Sequence, residues 1–192
     1  MKYFCLLICC LATFCTQAQE KFEKESRIGK NGFPENALKL LERYSKDAKR
    51  IRYYKETDGN KISYEAKLKL KGQKFSIEYD TLGILEDIEV KIKFKNIPKK
   101  VRDSVIDYFG SHFMKYSIKK VQKQFYNKNF QNSVAVFEAA FNKKDITTVN
   151  YEIVVWRVLE KTSGMVELTF NREGSFVSSR PIAQASYDHI LY

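Results

Sequence analysis

Residues 61–71, Lys-Ile-Ser-Tyr-Glu-Ala-Lys-Leu-Lys-Leu-Lys, decide the fold because apolar and polar side chains alternate throughout them. The apolar set runs from Ile62 to Leu70, and polar residues occupy the positions between. A period of two is typical of an antiparallel strand with one buried and one polar face. The segment therefore predicts a half-buried strand whose apolar face is covered by another layer.

The preceding and following segments supply more strands and the covering helix. Phe33-Pro34 opens a segment with helical spacing, and proline suits the first turn of a helix. The apolar residues of this segment are Ala37, Leu38, Leu41, Tyr44 and Ala48. The first half thus predicts one helix on four antiparallel strands, namely Arg50 to Glu56, Lys61 to Lys71, Lys74 to Asp80 and Leu85 to Lys95.

The second half repeats this order. Pro98 opens another helical segment, and Tyr108 lies as far from it as Tyr44 lies from Pro34. The predicted strands here are Lys115 to Phe125, Val149 to Leu159, Met165 to Phe170 and Ser175 to Ile182. An insert near residues 127–147, with an apolar run at 134–137, lengthens this copy. The predicted fold class is α+β, with two tandem modules of one helix and a four-stranded antiparallel sheet.

The N-terminus has the pattern of an export signal. Lys2, a short apolar run and small residues before Gln19 predict a secretory signal peptide over residues 1–18. The run is too brief to cross a bilayer, which disfavours a membrane anchor. The predicted organisation is a signal peptide (1–18), a flexible lead-in (19–32), a first module (33–96), a second module (97–182) and a tail (183–192).

Cysteine and charge indicate an exported, basic protein. The four cysteines, Cys5, Cys9, Cys10 and Cys15, all lie in the signal peptide, so we predict neither a disulfide nor a thiolate metal site. Lipidation of Cys15 is an alternative that the large Phe14 disfavours. The net charge is +11, and it remains strongly positive without residues 1–18. Such a charge suits an anionic lipid surface, an acidic polysaccharide or an acidic protein, whereas an exported protein is not expected to meet nucleic acid.

Two motifs in each half resemble those of a known family. They are a Tyr-Glu strand (Tyr64-Glu65; Tyr151-Glu152) and a strand ending in Asp or Asn before a glycine (Tyr79-Asp80-Thr81-Leu82-Gly83; Phe170-Asn171-Arg172-Glu173-Gly174). Together with the signal peptide and the two proline-started helices, they resemble the exported PepSY-like, or β-lactamase-inhibitor-like, family over about residues 33–182. The resemblance implies that the two sheets join into one curved surface, and that the protein binds or inhibits another protein rather than catalysing a reaction.

The residues offer little support for catalysis or metal binding. The histidines are His112 and His189, and Ser111-His112 is more simply the end of a helix than part of a catalytic triad. No His or Cys pair has the spacing of metal ligands. The segment from Asp80 to Gly83 predicts a β-turn rather than a calcium loop. We therefore expect a protein that is not an enzyme and has no cofactor or metal.

The polar face of the sheet is predicted to be electrically two-ended. One end collects seven lysines: Lys67, Lys69, Lys71, Lys74, Lys91, Lys93 and Lys95. The other end collects the acidic residues Glu78, Asp80, Asp87 and Glu89. Such a face would orient an acidic partner and speed its association. The alternative is a solvated face that keeps the protein soluble and discourages strand pairing at the edge.

Trp156 is the predicted centre of a binding surface. If Tyr151 points towards the helix as Tyr64 does, then Val154, Trp156 and Val158 point to the opposite face. An exposed Trp between two valines has the composition of an interface centre. One alternative is that this strand is covered on both faces, by the insert near residues 134–141 or by the other sheet. Another is the opposite register, which would place Trp156 in the core.

The predicted function is an exported, non-catalytic binding module. Its outer sheet face, with Trp156 and the lysines, would bind or inhibit a protein or an anionic envelope component, and contact with a membrane surface is compatible with its charge. The alternatives are a protease inhibitor similar to a peptidase propeptide, and a structural or anionic-glycan-binding envelope protein.

Overall fold

The described residues form a single nine-stranded antiparallel sheet with three α-helices. The computed structural model describes residues 20–127, 132–142 and 149–187. The strands are β1 (Glu23–Ile28), β2 (Ile51–Asp58), β3 (Lys61–Leu70), β4 (Gln73–Tyr79), β5 (Leu85–Lys91), β6 (Lys115–Tyr126), β7 (Val149–Val158), β8 (Ser163–Asn171) and β9 (Phe176–Pro181). They lie in sequence order across the sheet. The helices are α1 (Glu35–Tyr44), α2 (Lys99–His112) and α3 (Ser133–Asn142).

The three helices cover one face of the sheet. Helices α1 and α3 contribute to one core cluster with β3, β4 and β5, in which Leu41, Ile77 and Phe137 are fully buried. Helix α2 forms a second cluster with β6, β7 and β8, centred on Phe109 and Phe170. Most apolar positions of the alternating strands point into these clusters, although Ile62 is exposed, so hydrophobic burial fixes which face carries the helices.

Two similar turns anchor the two proline-started helices. Asp80 and Asn171 each accept two backbone N–H bonds through their Oδ1 atoms and so close the turns after β4 and β8. Gly83 and Gly174 have positive φ angles of 77° and 92°. A Cβ on Gly83 would lie 2.9 Å from the Cβ of Pro34, and one on Gly174 would lie 3.0 Å from the Cβ of Ser104. Glycine is therefore required both for the backbone and for the close approach of the helix.

One sheet runs through both halves of the chain. Strand β5 pairs directly with β6, so the two halves share a continuous sheet, as expected from the resemblance. Residues 19–32, predicted to be a flexible lead-in, contain β1, which pairs with β2 from Glu23 to Ile28. Strand β5 ends at Lys91 rather than Lys95. The predicted signal peptide, parts of the insert and the end of the tail lie outside the described residues.

The sheet curls until its two edges meet. Lys21, just before β1, forms a parallel bridge with Ile182, just after β9. The Lys21 amide donates to the Pro181 carbonyl at 2.8 Å, and the Ala183 amide donates to the Lys21 carbonyl at 3.0 Å. The Ser186 hydroxyl adds a bond to the Glu23 carbonyl at 2.9 Å. The face without helices is thereby turned inwards, so its polar side chains line a concave space rather than an open plane.

Among the described residues, none of the helices has the length and apolarity required to cross a bilayer.

Candidate binding face

Trp156 lies on the face without helices, on the opposite side of the sheet from the cores. Its side of β7 is shared by Val154, and its indole meets the ring of Tyr187 edge-on at 6.2 Å. Trp156 is 36% exposed, whereas Val154 is 1% exposed and packs with Met165 and Ile182. The predicted apolar patch is therefore reduced to one partly exposed indole.

Residues that follow β9 cover the Trp156 side of β7. Ile182 and Tyr187, which follow β9, lie over Val154, and the Met165 amide donates to the Tyr187 hydroxyl oxygen at 3.2 Å. Helix α3 of the insert instead packs on the helix side of the first half, where Phe137 stacks on Tyr44 at 4.8 Å. The alternative in which the insert covers the strand of Trp156 is not what the structure shows, because the apolar residues of α3 pack in the first core. Val158 is half-buried near the end of β7.

A row of lysines on the same face leads towards Trp156. Lys69 on β3 is directly opposite Lys74 on β4, and Lys120 on β6 is directly opposite Val154. Lys91 on β5 lies between them: burial lowers its pKa, and so do the charges of Lys74 and Lys120. We call Lys69, Lys74, Lys91 and Lys120 the lysine strip. Lys69, Lys74 and Lys91 were expected on this face, whereas Lys120 was not, because a bulge in β6 between Ile118 and Lys120 shifts the register.

The other predicted lysines have different environments. The Lys67 ammonium is bonded to Glu25 at 2.6 Å and to Glu65 at 3.0 Å, so its charge is used within the protein. Lys71 lies in the hairpin turn after β3 and has a positive φ of 48°. Lys93 and Lys95 come after the end of β5, around a 3-10 turn at Phe94–Asn96, and do not belong to the sheet face.

Carboxylates line the centre of the concave face. A cavity of about 180 Å³ lies there, and its acidic lining residues are Glu23, Glu56, Asp58, Glu78, Asp87, Glu89, Glu152 and Glu167. Its cationic lining residues are Lys21, Lys61 and Arg180. Glu78, Asp87 and Glu89 were predicted on this face, whereas the other acids were missed. The three acidic residues that were predicted at one end of the face thus lie at its buried centre. The fourth, Asp80, lies in the turn after β4.

Three of these carboxylates, together with Glu65, follow one another across β2 to β5. Glu56 is hydrogen-bonded to Glu65, which is directly opposite Glu78, which in turn is directly opposite Asp87. We call these four residues the carboxylate row. Like charges directly opposite each other destabilise a sheet, and burial strengthens their repulsion. Glu56 and Glu65 are each only 4% exposed, so water cannot fully solvate this charge.

The pKa values show how burial and neighbouring charge affect ionisation of the carboxylate row. Burial, followed by the charges of Glu65 and Glu78, raises the pKa of Glu56 to about 12. Burial also raises the pKa of Glu78 and of Asp87 well above their usual values, and each has an acidic neighbour that adds to the effect. In the absence of a bound cation, these side chains therefore retain protons well above the pH at which exposed carboxyls ionise.

A second carboxyl pair lies on the other side of the cavity. Burial and the neighbouring Glu89 charge raise the pKa of Glu152, which donates a hydrogen bond to Glu89. Burial opposes ionisation of Glu89, but the bond from Glu152 and the charge of Lys120 hold its pKa below the usual value. Gln122 also donates to Glu89. The pair thus shares one proton, with the charge on Glu89.

Two ion pairs join the sheet edges beside the cavity. The Lys21 ammonium is bonded to Glu167 at 2.9 Å and lies 3.5 Å from Glu23. Although burial alone would lower the pKa of Lys21, Glu167 and the other nearby carboxylates raise it well above its usual value. Arg180 on β9 donates to Asp58 on β2. These contacts balance part of the negative charge that lines the cavity. The carboxylate row lies on the other side of the cavity.

Ser111 and His112 form hydrogen bonds within α2, whereas His189 lies outside the described residues. The Ser111 hydroxyl donates to the Asp107 carbonyl at 2.8 Å, and the His112 ring nitrogen lies 2.8 Å from the Tyr108 carbonyl. Both contacts belong to the last turn of α2. The helix-end interpretation of these residues therefore agrees with their hydrogen bonds.

Comparison with known proteins identifies a fold. No family model matches the sequence, and neither does any curated protein. A DUF2874 family protein of Bacteroides ovatus aligns with a TM-score of 0.52 and 10% identity, over 77% of this chain and 86% of that chain. A Bacteroides eggerthii protein with a predicted periplasmic location aligns with a TM-score of 0.52 and 10% identity, over 80% and 94%. A BLIP-like protein of Bacteroides fragilis has a TM-score of 0.49 and 14% identity, over 79% and 89%. The first two likenesses show a shared fold, and at these identities they show nothing about a partner.

Proposed function

We propose that the chain is an exported, non-catalytic binding protein that docks an anionic partner on the lysine strip and Trp156. The observation that carries this proposal is the continuity of the surface: lysines on four neighbouring strands lead to the partly exposed indole on the fifth. Charge on the strip would steer an acidic surface into place, and the indole would supply apolar contact at its end.

The environment of the strip supports a role in binding. In the described part of the chain, Lys69, Lys74 and Lys120 form no salt bridge, in contrast to Lys67. Burial lowers the pKa of Lys91, and the charges of Lys74 and Lys120 lower it further, so these lysines repel one another. An anionic ligand would relieve this repulsion and would also match the positive charge of the strip. Both effects therefore favour an anionic partner.

We further propose that the two halves are copies of one PepSY-like module, joined by the β5–β6 pairing. Support comes from the two Asx turns after β4 and β8 and from the glycine of each turn that approaches the start of a proline-started helix. The second copy would carry the insert that forms α3. Export follows from the predicted signal peptide, and the purified envelope protein would then begin at or near Gln19.

Three defined binding assays test the proposed surface. We expect the protein to be retained on an immobilised acidic polysaccharide, to sediment with vesicles that contain anionic lipid, or to capture an acidic envelope protein, and which assay succeeds identifies the partner class. Retention should fall as salt rises, because exposed charge contacts are screened.

Matched variants separate the strip from overall charge. Lys69→Glu/Lys74→Glu reverses two charges on the strip, whereas Lys46→Glu/Lys100→Glu makes the same change in net charge at exposed sites after α1 and on α2. We expect the first variant to lose binding at least tenfold more than the second, and Trp156→Ala to lose binding without changing the salt dependence. Equal losses from the two double variants would contradict a specific strip.

A further inference from the structure

The positive charge of the concave face extends beyond the lysine strip to the first two strands. Arg27 on β1 is directly opposite Tyr54 on β2, and Arg52 on β2 is directly opposite Lys67 on β3. The Lys67 ammonium lies 5.1 Å from the centre of the Tyr54 ring and is bonded to Glu25, so these side chains share the face without helices. Residues directly opposite each other in a sheet point to the same face, so Arg27 and Arg52 lie there as well.

Both arginines are open to a ligand. Arg27 and Arg52 are exposed, and within the described residues neither forms a salt bridge or a side-chain hydrogen bond. We call these two residues and the lysine strip the cationic band. The band places one cation on each of the strands from β1 to β6, namely Arg27, Arg52, Lys69, Lys74, Lys91 and Lys120. Trp156 lies on the next strand, and at about 4.8 Å per strand the surface from β1 to β7 is about 29 Å long.

The band is narrow in the direction of the strands. On its outer side, β3 ends at Leu70 and β5 ends at Lys91. On its inner side, the Glu89 carboxylate, whose pKa is held below the usual value despite burial by the bond from Glu152 and the charge of Lys120, lies two residues before Lys91. Two residues of a strand span about 7 Å. A ligand that follows the cations without meeting this negative charge must therefore be thin and linear.

The curl of the sheet selects among anionic partners. The band lies on the concave face, and the sheet edges meet at the bridge of Lys21 with Ile182. A flat bilayer cannot follow the inside of a curled sheet, and a globular acidic protein that entered it would also cover Glu89, which would repel it. A linear chain with repeated anionic groups fits both the width and the curve. If its units are sugars, the Trp156 indole offers a flat apolar ring for one of them.

We propose that the cationic band binds an acidic polysaccharide, which crosses the strands from β1 to β6 and packs one sugar ring against Trp156. This assignment rests on the proposed function and deepens it, because it selects one partner class and adds Arg27 and Arg52 to the site. Successive anions of one chain meet successive cations of the band. Each further contact is then made within the complex, so affinity should rise with chain length until the chain spans the band.

Oligogalacturonates of defined length test the partner class by calorimetric titration of the purified protein. We expect affinity to rise at least tenfold from the disaccharide to chains that span the band and then to level off, whereas neutral dextran fragments should not bind. If long oligogalacturonates fail while anionic vesicles or an acidic protein bind through the strip, the polysaccharide is wrong and the proposed function stands. If Lys69→Glu/Lys74→Glu alters binding of no anionic probe, both are wrong. Tighter binding of single-stranded oligothymidylate at equal salt would also overturn the polysaccharide.

A matched pair of variants tests the extension to β1 and β2. Arg27→Glu/Arg52→Glu reverses two charges of the band, and Lys24→Glu/Lys55→Glu makes the same change on the other face of the same strands, at exposed positions. We expect the first variant to bind long oligogalacturonates at least tenfold more weakly than the second. Equal affinity would end the site at the lysine strip and overturn the extended band. Arg27→Gln/Arg52→Gln, a milder change, decides the matter if the charge reversal does not fold.

Discussion

Asp58 on β2 accepts a hydrogen bond from Arg180 on β9, so side chains from strands near opposite edges of the sheet meet. The contact lies beside the backbone bridge of Lys21 with Ile182, and the two together hold the sheet in its curled form. This closure gives the cavity its walls and buries the carboxylates within it.

Removal of the Arg180 charge should loosen the contact between the two sheet edges and should lower the unfolding free energy of the whole protein only slightly. The pair is partly exposed, with side-chain exposures of 36% and 20%, so we expect Arg180→Met to cost only about 0.5–1 kcal/mol in unfolding free energy. Hydrogen exchange of the Lys21 and Ala183 amides should accelerate severalfold. Arg172→Met removes an arginine from the turn between β8 and β9 and is the control. Unchanged exchange at these amides in Arg180→Met would show that the backbone bridge closes the sheet without the ion pair.

The turns after β4 and β8 should respond equally to substitution. Gly83→Ala and Gly174→Ala each impose a positive φ on alanine and press a Cβ against the start of a helix. We expect losses of about 2–4 kcal/mol for each, measured by urea unfolding. Gly72→Ala is the matched control, because its φ of 82° is similar but nothing lies within 4 Å of the added Cβ. It should cost only about 1 kcal/mol. A loss at one turn alone would argue against equivalent halves.

Alternation in the sequence predicts the strands and their faces because hydrophobic burial depends on each residue's own side chain. Tyr151 and Ile153 point to the helices and Trp156 points away, as the pattern indicates. The covering of Val154 could not be predicted in this way. It depends on Ile182 and Tyr187, which follow the last strand and reach β7 only because the chain turns back there.

Curvature is the feature that alternation does not reveal. A glutamate at a polar strand position looks the same in sequence whether the sheet is flat or curled, so Glu56, Glu152 and Glu167 were missed as lining residues of the cavity. Strand β1 was missed because its segment is mostly charged and lacks an apolar alternation, and its position depends on pairing with β2. Glu25 on that strand captures Lys67, which explains why this lysine does not join the strip.

Buried Tyr79 and partly buried Tyr44 should respond in opposite ways to loss of their hydroxyl groups. Tyr79 is 1% exposed and its hydroxyl has no hydrogen-bond partner, whereas the Tyr44 hydroxyl donates to Glu138 at 2.8 Å. We expect Tyr79→Phe to raise the unfolding free energy by about 1 kcal/mol and Tyr44→Phe to lower it by about 1 kcal/mol. Urea unfolding of both variants checks the prediction. A loss of stability in Tyr79→Phe would show that this hydroxyl has a partner, such as a buried water.

Without divalent metal, the protein should become less stable as pH rises from about 5 to about 8. Glu56, Glu78 and Asp87 have raised pKa values in the folded state, to about 12 for Glu56. The unfolded chain releases these protons above about pH 4–5, whereas the folded protein keeps them. Their contribution to stability is therefore full below the unfolded pKa values and is lost as pH rises towards the folded values. Asp58, whose pKa is lowered, acts with the opposite sign but only in more acidic solution.

Urea unfolding in EDTA at the two pH values measures this slope, and Glu56→Gln should flatten it. Glutamine keeps the size of the side chain but cannot ionise, so the variant should gain stability mainly at the higher pH. Glu160→Gln, an exposed change of the same kind, should keep the wild-type slope. A wild-type stability that rises with pH over this range would mean that the row is ionised and already balanced by charge within the fold.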